Sequence, residues 1–251
     1  MDRALYIAMT GAKHNMLQQT SHANNLANAN TDGFRADWAQ ARSMPVFGEH
    51  YPTRAYAQVE RPATDFNDGP LNPTGNPLDI AIAGDGFLAV QLNDGLEAYS
   101  RRGDLWLDPL GQVHNGDGLP VLNADGVPLV LPPNQKVEIG GDGTISIRPP
   151  GAGPDELQVV DQIKLVNPDY RDMEKGTHGQ FRPYGWQPED EVLAVAPEVR
   201  VVSGFVEGSN VDPVSEMISV LALNRQYEMQ IKMMSAADDM SQQSAQLIRI
   251  S

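Results

Sequence analysis

Apolar residues near the two chain ends recur every three to four positions, while those in the middle come in short runs separated by turns. At the start, the repeat runs through Leu5, Met9, Ala12, Met16, Gln19, Ala23, Leu26 and Asn30. That 4-3 spacing is the pattern of a helix with one narrow apolar seam. Asp2 suits its start, and Asn30-Thr31-Asp32-Gly33 suits its end, with Gly33 as a left-handed stop. At the other end the repeat returns as Val220, Leu223, Tyr227, Gln230, Met234, Ala237, Ser241, Ser244 and Ile248, after Asp212-Pro213, an N-cap followed by proline at the first helical position. Between them lie strand-length runs such as Leu78–Ala83, Phe87–Leu92, Lys136–Ile139, Thr144–Ile147 and Leu157–Val166. Turn sequences such as Asn93-Asp94-Gly95 and Asn123-Ala124-Asp125-Gly126 punctuate them. The expected class is α+β: a mainly β central domain with long N- and C-terminal α-helices that pair in a coiled-coil-like bundle. The expected divisions are an N-terminal helix over 1–35, an extended connector over 36–77, a β-rich domain over 78–209 and a C-terminal helix over 210–251. The six prolines of the connector argue for little regular structure there.

Composition sharpens this division. All 19 prolines fall between Pro45 and Pro213, so long helices are confined to the ends. The net charge of −15 is carried almost wholly by the middle of the chain. That acid excess argues against a protein that coats nucleic acid or anionic lipid. No stretch approaches the ~20 apolar residues of a membrane helix, so no direct membrane insertion is expected. The opening run, Ala4 to Met9, is too short for the core of a cleaved signal peptide and lacks its basic flank. The absence of cysteine excludes disulfides, cysteine-held metals and a thiol nucleophile. Both terminal seams hold Ala, Ser, Gln and Asn, so each helix is marginal alone and needs a partner. That partner is either the chain's own β core or another helix, within the chain or beyond it.

Candidate chemistry is thin. Gly84-Asp85-Gly86-Phe87-Leu88-Ala89 matches the loose G-x-G-x-x-A dinucleotide fingerprint, but the chain continues as a strand where that fingerprint needs a helix. The repeated Asp-Gly turns suggest calcium only weakly, since no segment fits the twelve-residue calcium loop. Acids such as Asp104, Asp108 and Glu189–Glu191 are abundant without a pairing rule. None of His14, His22, His50, His114 and His178 sits in a zinc-binding spacing. No catalytic residue, cofactor or metal is therefore expected, and the chain is not expected to be an enzyme. An acidic hydrolase or calcium-dependent β-module is the rival class, and an adhesin-like polymer a third. The methionines of the last helix fit adaptable packing against non-equivalent neighbours.

Four stretches together resemble the flagellar rod–hook family of axial proteins. Ala23-Asn24-Asn25-Leu26-Ala27-Asn28-Ala29-Asn30-Thr31-Asp32-Gly33-Phe34-Arg35 is similar to its N-terminal signature. Thr74-Gly75-Asn76-Pro77-Leu78-Asp79 through Gly84-Asp85-Gly86-Phe87 resembles the central one, followed by Tyr99-Ser100-Arg101 with Gly103. Gly208-Ser209-Asn210-Val211-Asp212-Pro213-Val214 with Glu216-Met217 resembles the opening of the C-terminal helix. Met1–Met9 and Tyr227–Lys232 look most like the family's proximal-rod member, with the distal-rod member as the alternative. The resemblance implies a structural subunit of the bacterial flagellar basal body that polymerises in the periplasm through its terminal helices and transmits torque. It also implies passage through the flagellar type III export apparatus without a cleaved signal peptide. The partners implied are other rod subunits and the chain itself, with no nucleic acid. Candidate assembly residues are then Leu5, Met9, Ala12, Met16, Ala23, Asn24, Asn25, Leu26 and Asn28 in the first helix. In the last helix they are Val220, Leu223, Tyr227, Ile231, Met234, Ala237 and Ile248.

Overall fold

A computed structural model describes residues 2–38, 41–47, 51–59, 63–151, 153, 156–176, 179–187 and 192–250. The chain gathers into two compact units: residues 1–29, 36–65 and 211–251 form one, and residues 30–35 and 66–210 the other. In the first unit, helix α1 (Asp2–Ala27) and helix α2 (Pro213–Ile250) run antiparallel. Gln19 reaches Asn224 at 3.0 Å, Asn25 reaches Glu216 at 3.0 Å, and Gly11 lies against the side chain of Gln230. The same unit holds β1 (Asp37–Trp38), β2 (Ala41–Phe47), β3 (Pro52–Val59) and β4 (Ala63–Thr64). Strands β2 and β3 form an antiparallel hairpin that packs along α1, and β1 pairs with β4.

The second unit is mainly β, with one short 3-10 turn at Tyr170–Asp172 among the described residues. Strands β5 (Leu71–Pro73), β6 (Ile80–Ala83), β7 (Phe87–Gln91), β8 (Glu97–Ser100), β9 (Trp106–Leu107) and β10 (Val113–His114) come first. Strands β11 (Lys136–Ile139), β12 (Thr144–Arg148), β13 (Gln158–Gln162) and β14 (Leu165–Val166) follow. Strands β15 (Met173–Lys175), β16 (Phe181–Pro183), β17 (Arg200–Ser203) and β18 (Phe205–Glu207) complete it. The largest sheet has the order β14-β7-β8-β16-β15, beside a three-stranded β11-β12-β13 sheet. Strand β7 shows why its run is apolar without alternation. Successive side chains point to opposite faces. Leu88 and Val90 enter an aliphatic core with Ile80, Val121, Leu129, Ile145 and Ile163, whereas Phe87 and Ala89 enter a second core with Tyr99, Val166 and Phe181. Phe66 stacks on Tyr170 at 4.7 Å against that second core. Gly84-Asp85-Gly86 leads into β7, a strand and not a helix, so it lacks the helix N-terminus that would face a pyrophosphate.

The expected coiled-coil-like bundle of long terminal helices is not what forms. Among the described residues the only α-helices are α1, with 26 residues, and α2, with 38. They make one unequal pair, and α2 outruns its partner by about 18 Å at the standard rise. The class remains α+β with a mainly β middle. Helix α1 ends at Ala27, well before Gly33, because the asparagine run competes with the helix for its own backbone. The Asn28 side-chain amide donates to the Asn24 carbonyl at 2.9 Å and to its side-chain oxygen at 2.7 Å. Residues 36–77 also hold strands β1 to β5 where little regular structure was expected. Their prolines do not forbid it: in a two-stranded hairpin both strands are edges, where a missing N–H is tolerated, and Pro45 pairs in register with Ala55.

Gly33 does adopt a left-handed φ of 69°, but not as a helix stop. Its N–H donates to the Glu207 carbonyl at 2.6 Å, and a Cβ there would lie 2.5 Å from the Arg101 carbonyl carbon. Gly75 has a similar φ of 73° with open space around it. Gly33→Ala should therefore destabilise the β unit by well over the ~1 kcal/mol that φ alone costs, and Gly75→Ala by about that amount. Urea denaturation followed by Trp fluorescence checks the order; equal losses would mean that the backbone contact at Gly33 is unimportant.

Candidate assembly interface

The seam between α1 and α2 is small and polar on the α1 side and mixed on the α2 side. On α1 it is lined by buried Ala8, Ala12, Asn15 and Asn25, with partly buried Gln19 and His22 between them. On α2 it is lined by Glu216, Val220, Leu223, Gln230, Met234 and Ala237, all buried or partly buried. His22 Nδ1 meets Glu216, whose other oxygen accepts from the Asn25 amide. Asn25 also clamps β1 on both sides: its Oδ1 accepts the Asp37 N–H at 2.8 Å, and its Nδ2 donates to the Asp37 carbonyl at 3.0 Å. The carboxamide thus acts as one more rung of backbone pairing. Asp212 caps α2, accepting from the Val214 N–H at 3.0 Å and the Ser215 hydroxyl at 2.6 Å. Those hydrogen bonds, the hydroxyl's first, hold its carboxyl below the ordinary carboxylate range.

Many large apolar side chains of the helices face outward. Val214, Met217, Ile218 and Leu221 are each more than half exposed. Their spacing, i, i+3, i+4, i+7, puts them on one face of α2. On α1, Tyr6, Met9, Met16 and Leu17 are exposed too. Of the residues singled out in the sequence, Ala12, Asn25, Leu223 and Ala237 are buried. Leu26, Asn28, Val220 and Met234 are half-buried, and Leu5, Met9, Met16, Ala23, Asn24, Tyr227 and Ile231 are exposed. The Ile248 side chain lies outside the described residues. Of the α2 repeat, Val220, Leu223, Gln230, Met234 and Ala237 are buried or half-buried while Tyr227 and Ser241 are exposed; on α1 the buried side is rotated from the repeat toward Ala8, Asn15 and His22. Alanine and asparagine carry no strong hydrophobic signal, so a repeat drawn through the larger residues passes beside them. The outward row on α2 was legible in the same letters, as a second apolar stripe.

In the β unit, the ends of the quoted motifs converge on a buried ion cluster. Arg35 and Arg101, each 1 % exposed at the side chain, flank Glu207, also 1 % exposed. Arg101 Nη1 donates to Glu207 Oε2 at 3.1 Å, Arg35 Nη1 pairs with Oε1, and the Gly69 N–H donates to Oε1 at 2.9 Å. Asp68 accepts from both guanidiniums at 3.1 and 3.3 Å, so two positive charges meet two negative ones. Arg101 Nη2 also donates to the Gly84 carbonyl at 2.7 Å and to the Tyr170 hydroxyl at 3.3 Å. Tyr170 in turn donates to Asp85 at 2.9 Å, and burial raises its pKa. Lys175 donates to the Arg35 carbonyl at 2.7 Å and lies 3.7 Å from the Phe34 ring centroid. Arg101 Nε is buried without a hydrogen-bond partner among the described residues, so the cluster is closely but not completely paired; it holds residues 30–35 in the β unit. No residue in it was singled out by its chemistry, because its members are more than thirty to more than a hundred positions apart.

Two outcomes test this electrostatic reading. Glu207→Ala leaves two buried guanidiniums with one exposed partner and should cost about 3–5 kcal/mol in denaturant unfolding; a loss near the ~1 kcal/mol of an ordinary surface change would refute the cluster's role. Asp32 behaves oppositely. Burial, then the nearby Asp104 and Asp79 carboxylates, raise its pKa against the pull of Arg102. A carboxyl raised on folding favours the fold while protonated, fully so below its unfolded value, and loses that contribution as pH climbs through the folded value. Asp32→Asn should thus melt higher than the parent at pH 7, and the gap should close by about pH 3; melting curves across that range would show it, and a gap that widens on acidification would reverse the sign.

Three family models match the chain. Residues 5–35 match "Flagella basal body rod protein", residues 81–147 match "Flagellar hook protein FlgE/F/G D1 domain", and residues 202–247 match "Flagellar basal body rod FlgEFG protein C-terminal". The chain is 38 % identical over 253 residues to the flagellar basal-body rod protein FlgF of Salmonella typhimurium, covering 100 % of both chains. It is 39 % identical over 253 residues to FlgF of Escherichia coli, again covering 100 % of both. Against the rod protein FlgG of Buchnera aphidicola (subsp. Schizaphis graminum) it is 29 % identical over 268 residues, covering 97 % of this chain and 99 % of the other. The chain belongs to the flagellar basal-body rod protein family.

Proposed function

We propose that this member of the rod family is a structural subunit of the proximal part of the flagellar rod, joined to its neighbours by the outward apolar faces of α1 and α2. The observation that carries the reading is the row Val214, Met217, Ile218 and Leu221, exposed on a helix that already turns Val220, Leu223, Met234 and Ala237 inward. A helix in water ordinarily turns its apolar stripe inward. Here α1 gives mostly small and polar residues to the pairing, and α2 keeps a second apolar face that the pairing leaves for other copies or related rod subunits. Such contacts, repeated along an assembly, would let the helices carry load between motor and hook. In this reading the chain leaves the cytoplasm through the flagellar type III export apparatus, keeps its N-terminus uncleaved, and stands in the periplasm within the basal body. It performs no catalytic step. The greater identity to FlgF than to FlgG favours the proximal over the distal rod.

The test is Ile218→Asp, produced in a strain lacking its own copy. The charge should cut incorporation into isolated basal bodies by at least about tenfold, since desolvating an unpaired carboxylate opposes burial. Helical circular dichroism of the purified chain should stay unchanged, because Ile218 is exposed in the free subunit. Normal incorporation of the variant would sink this placement of the interface.

A further inference from the structure

We infer that the exposed methionines of α1 and α2 form a reversible oxidation site that governs whether the free subunit can assemble, an inference that rests on the interface proposed above. Met9, Met16, Met217, Met229, Met233 and Met240 are between 49 and 64 % exposed, all in the helical unit. Met173, packed with Phe87 and Phe181 in the β unit, is only 9 % exposed. Placement reinforces the contrast. Met9 and Met16 are seven positions apart, and Met229 and Met233 four, so each pair shares one side of its helix. Met217 belongs to the apolar row of α2. Met217 on α2, and Met9 and Met16 on α1, lie among the outward apolar residues that assembly would cover.

The reacting partner is a peroxide. The sulfur gives up two electrons, the O–O bond breaks, an S–O bond forms, and the second oxygen leaves as water with both hydrogens. Each thioether becomes a sulfoxide, which is polar and chiral where the methionine was apolar and flexible. A sulfoxide in a dry interface without a donor opposite it loses its hydration, so an oxidised subunit is disfavoured there. Methionine sulfoxide reductases restore the thioether, and they reach the free subunit but not a covered face. Oxidation state in the free subunit thereby controls entry into the assembly, and assembly protects what has entered.

The experiment has two arms. The purified full chain is treated with hydrogen peroxide and its methionines are followed by peptide mass spectrometry. Met9, Met16, Met217, Met229, Met233 and Met240 should oxidise at least about tenfold faster than Met173; equal rates would overturn the proposal. In cells lacking their own copy, the parent and the variant M9L/M16L/M217L/M229L/M233L/M240L are induced with and without a peroxide pulse, and the incorporation of each into basal bodies under peroxide is expressed relative to its own incorporation without it. The parent's ratio should fall several-fold and the variant's ratio should not change. Equal ratios for the two would overturn the oxidation site while leaving the interface intact. Without peroxide, a parent that fails to enter basal bodies would overturn the interface itself and this inference with it.

Discussion

Glu207 between two arginines is the interaction on which the β unit depends. Removing a carboxylate and two guanidiniums from water is costly, and close mutual pairing with additional hydrogen bonds is what offsets it. The chain meets that demand from separate regions: Arg35 after the first helix, Arg101 at the end of β8, Glu207 at the end of β18, and Asp68 before β5. The Gly33 N–H on the Glu207 carbonyl and the Gly69 N–H on its carboxylate bring the backbone in as close as the side chains. A Cβ at Gly33 or Gly69 would collide with backbone, so these glycines are spacing requirements as much as conformational ones. The cluster gives the segment 30–35 one position in the β unit.

The helical unit follows a different logic. Its internal pairing sets alanines, amides and one histidine–carboxylate contact beside Val220, Leu223 and Met234, and many of its larger apolar groups stay outside. A seam of this kind lets two helices approach closely but contributes little hydrophobic stabilisation, which scales with the apolar area removed from water. The Nδ2 of Asn15 and the Oε1 of Gln230 are buried without a hydrogen-bond partner among the described residues, and such groups cost stability. Weak internal packing beside a strong outward apolar face suits a part whose burial is completed by neighbours. It also makes the methionines of that face chemically reachable before assembly.

The sequence by itself determined the helices at both ends, the N-cap at Asp212-Pro213 and the β character of the middle. Each is a local matter of period, capping and turn chemistry, read from neighbouring residues. The family stretches, read along the chain, determined what kind of protein this is. Tertiary structure alone decided three things. It turned Ala8, Asn15 and His22 of α1 toward α2, because small and polar residues pack closely there without announcing themselves in a hydrophobic repeat. It made a hairpin of 41–59, since pairing between two edge strands tolerates prolines that discourage strands in sequence. It gathered Arg35, Asp68, Arg101 and Glu207, whose attraction has no period and no spacing rule, because a buried charge chooses its partner by distance in space rather than by position along the chain.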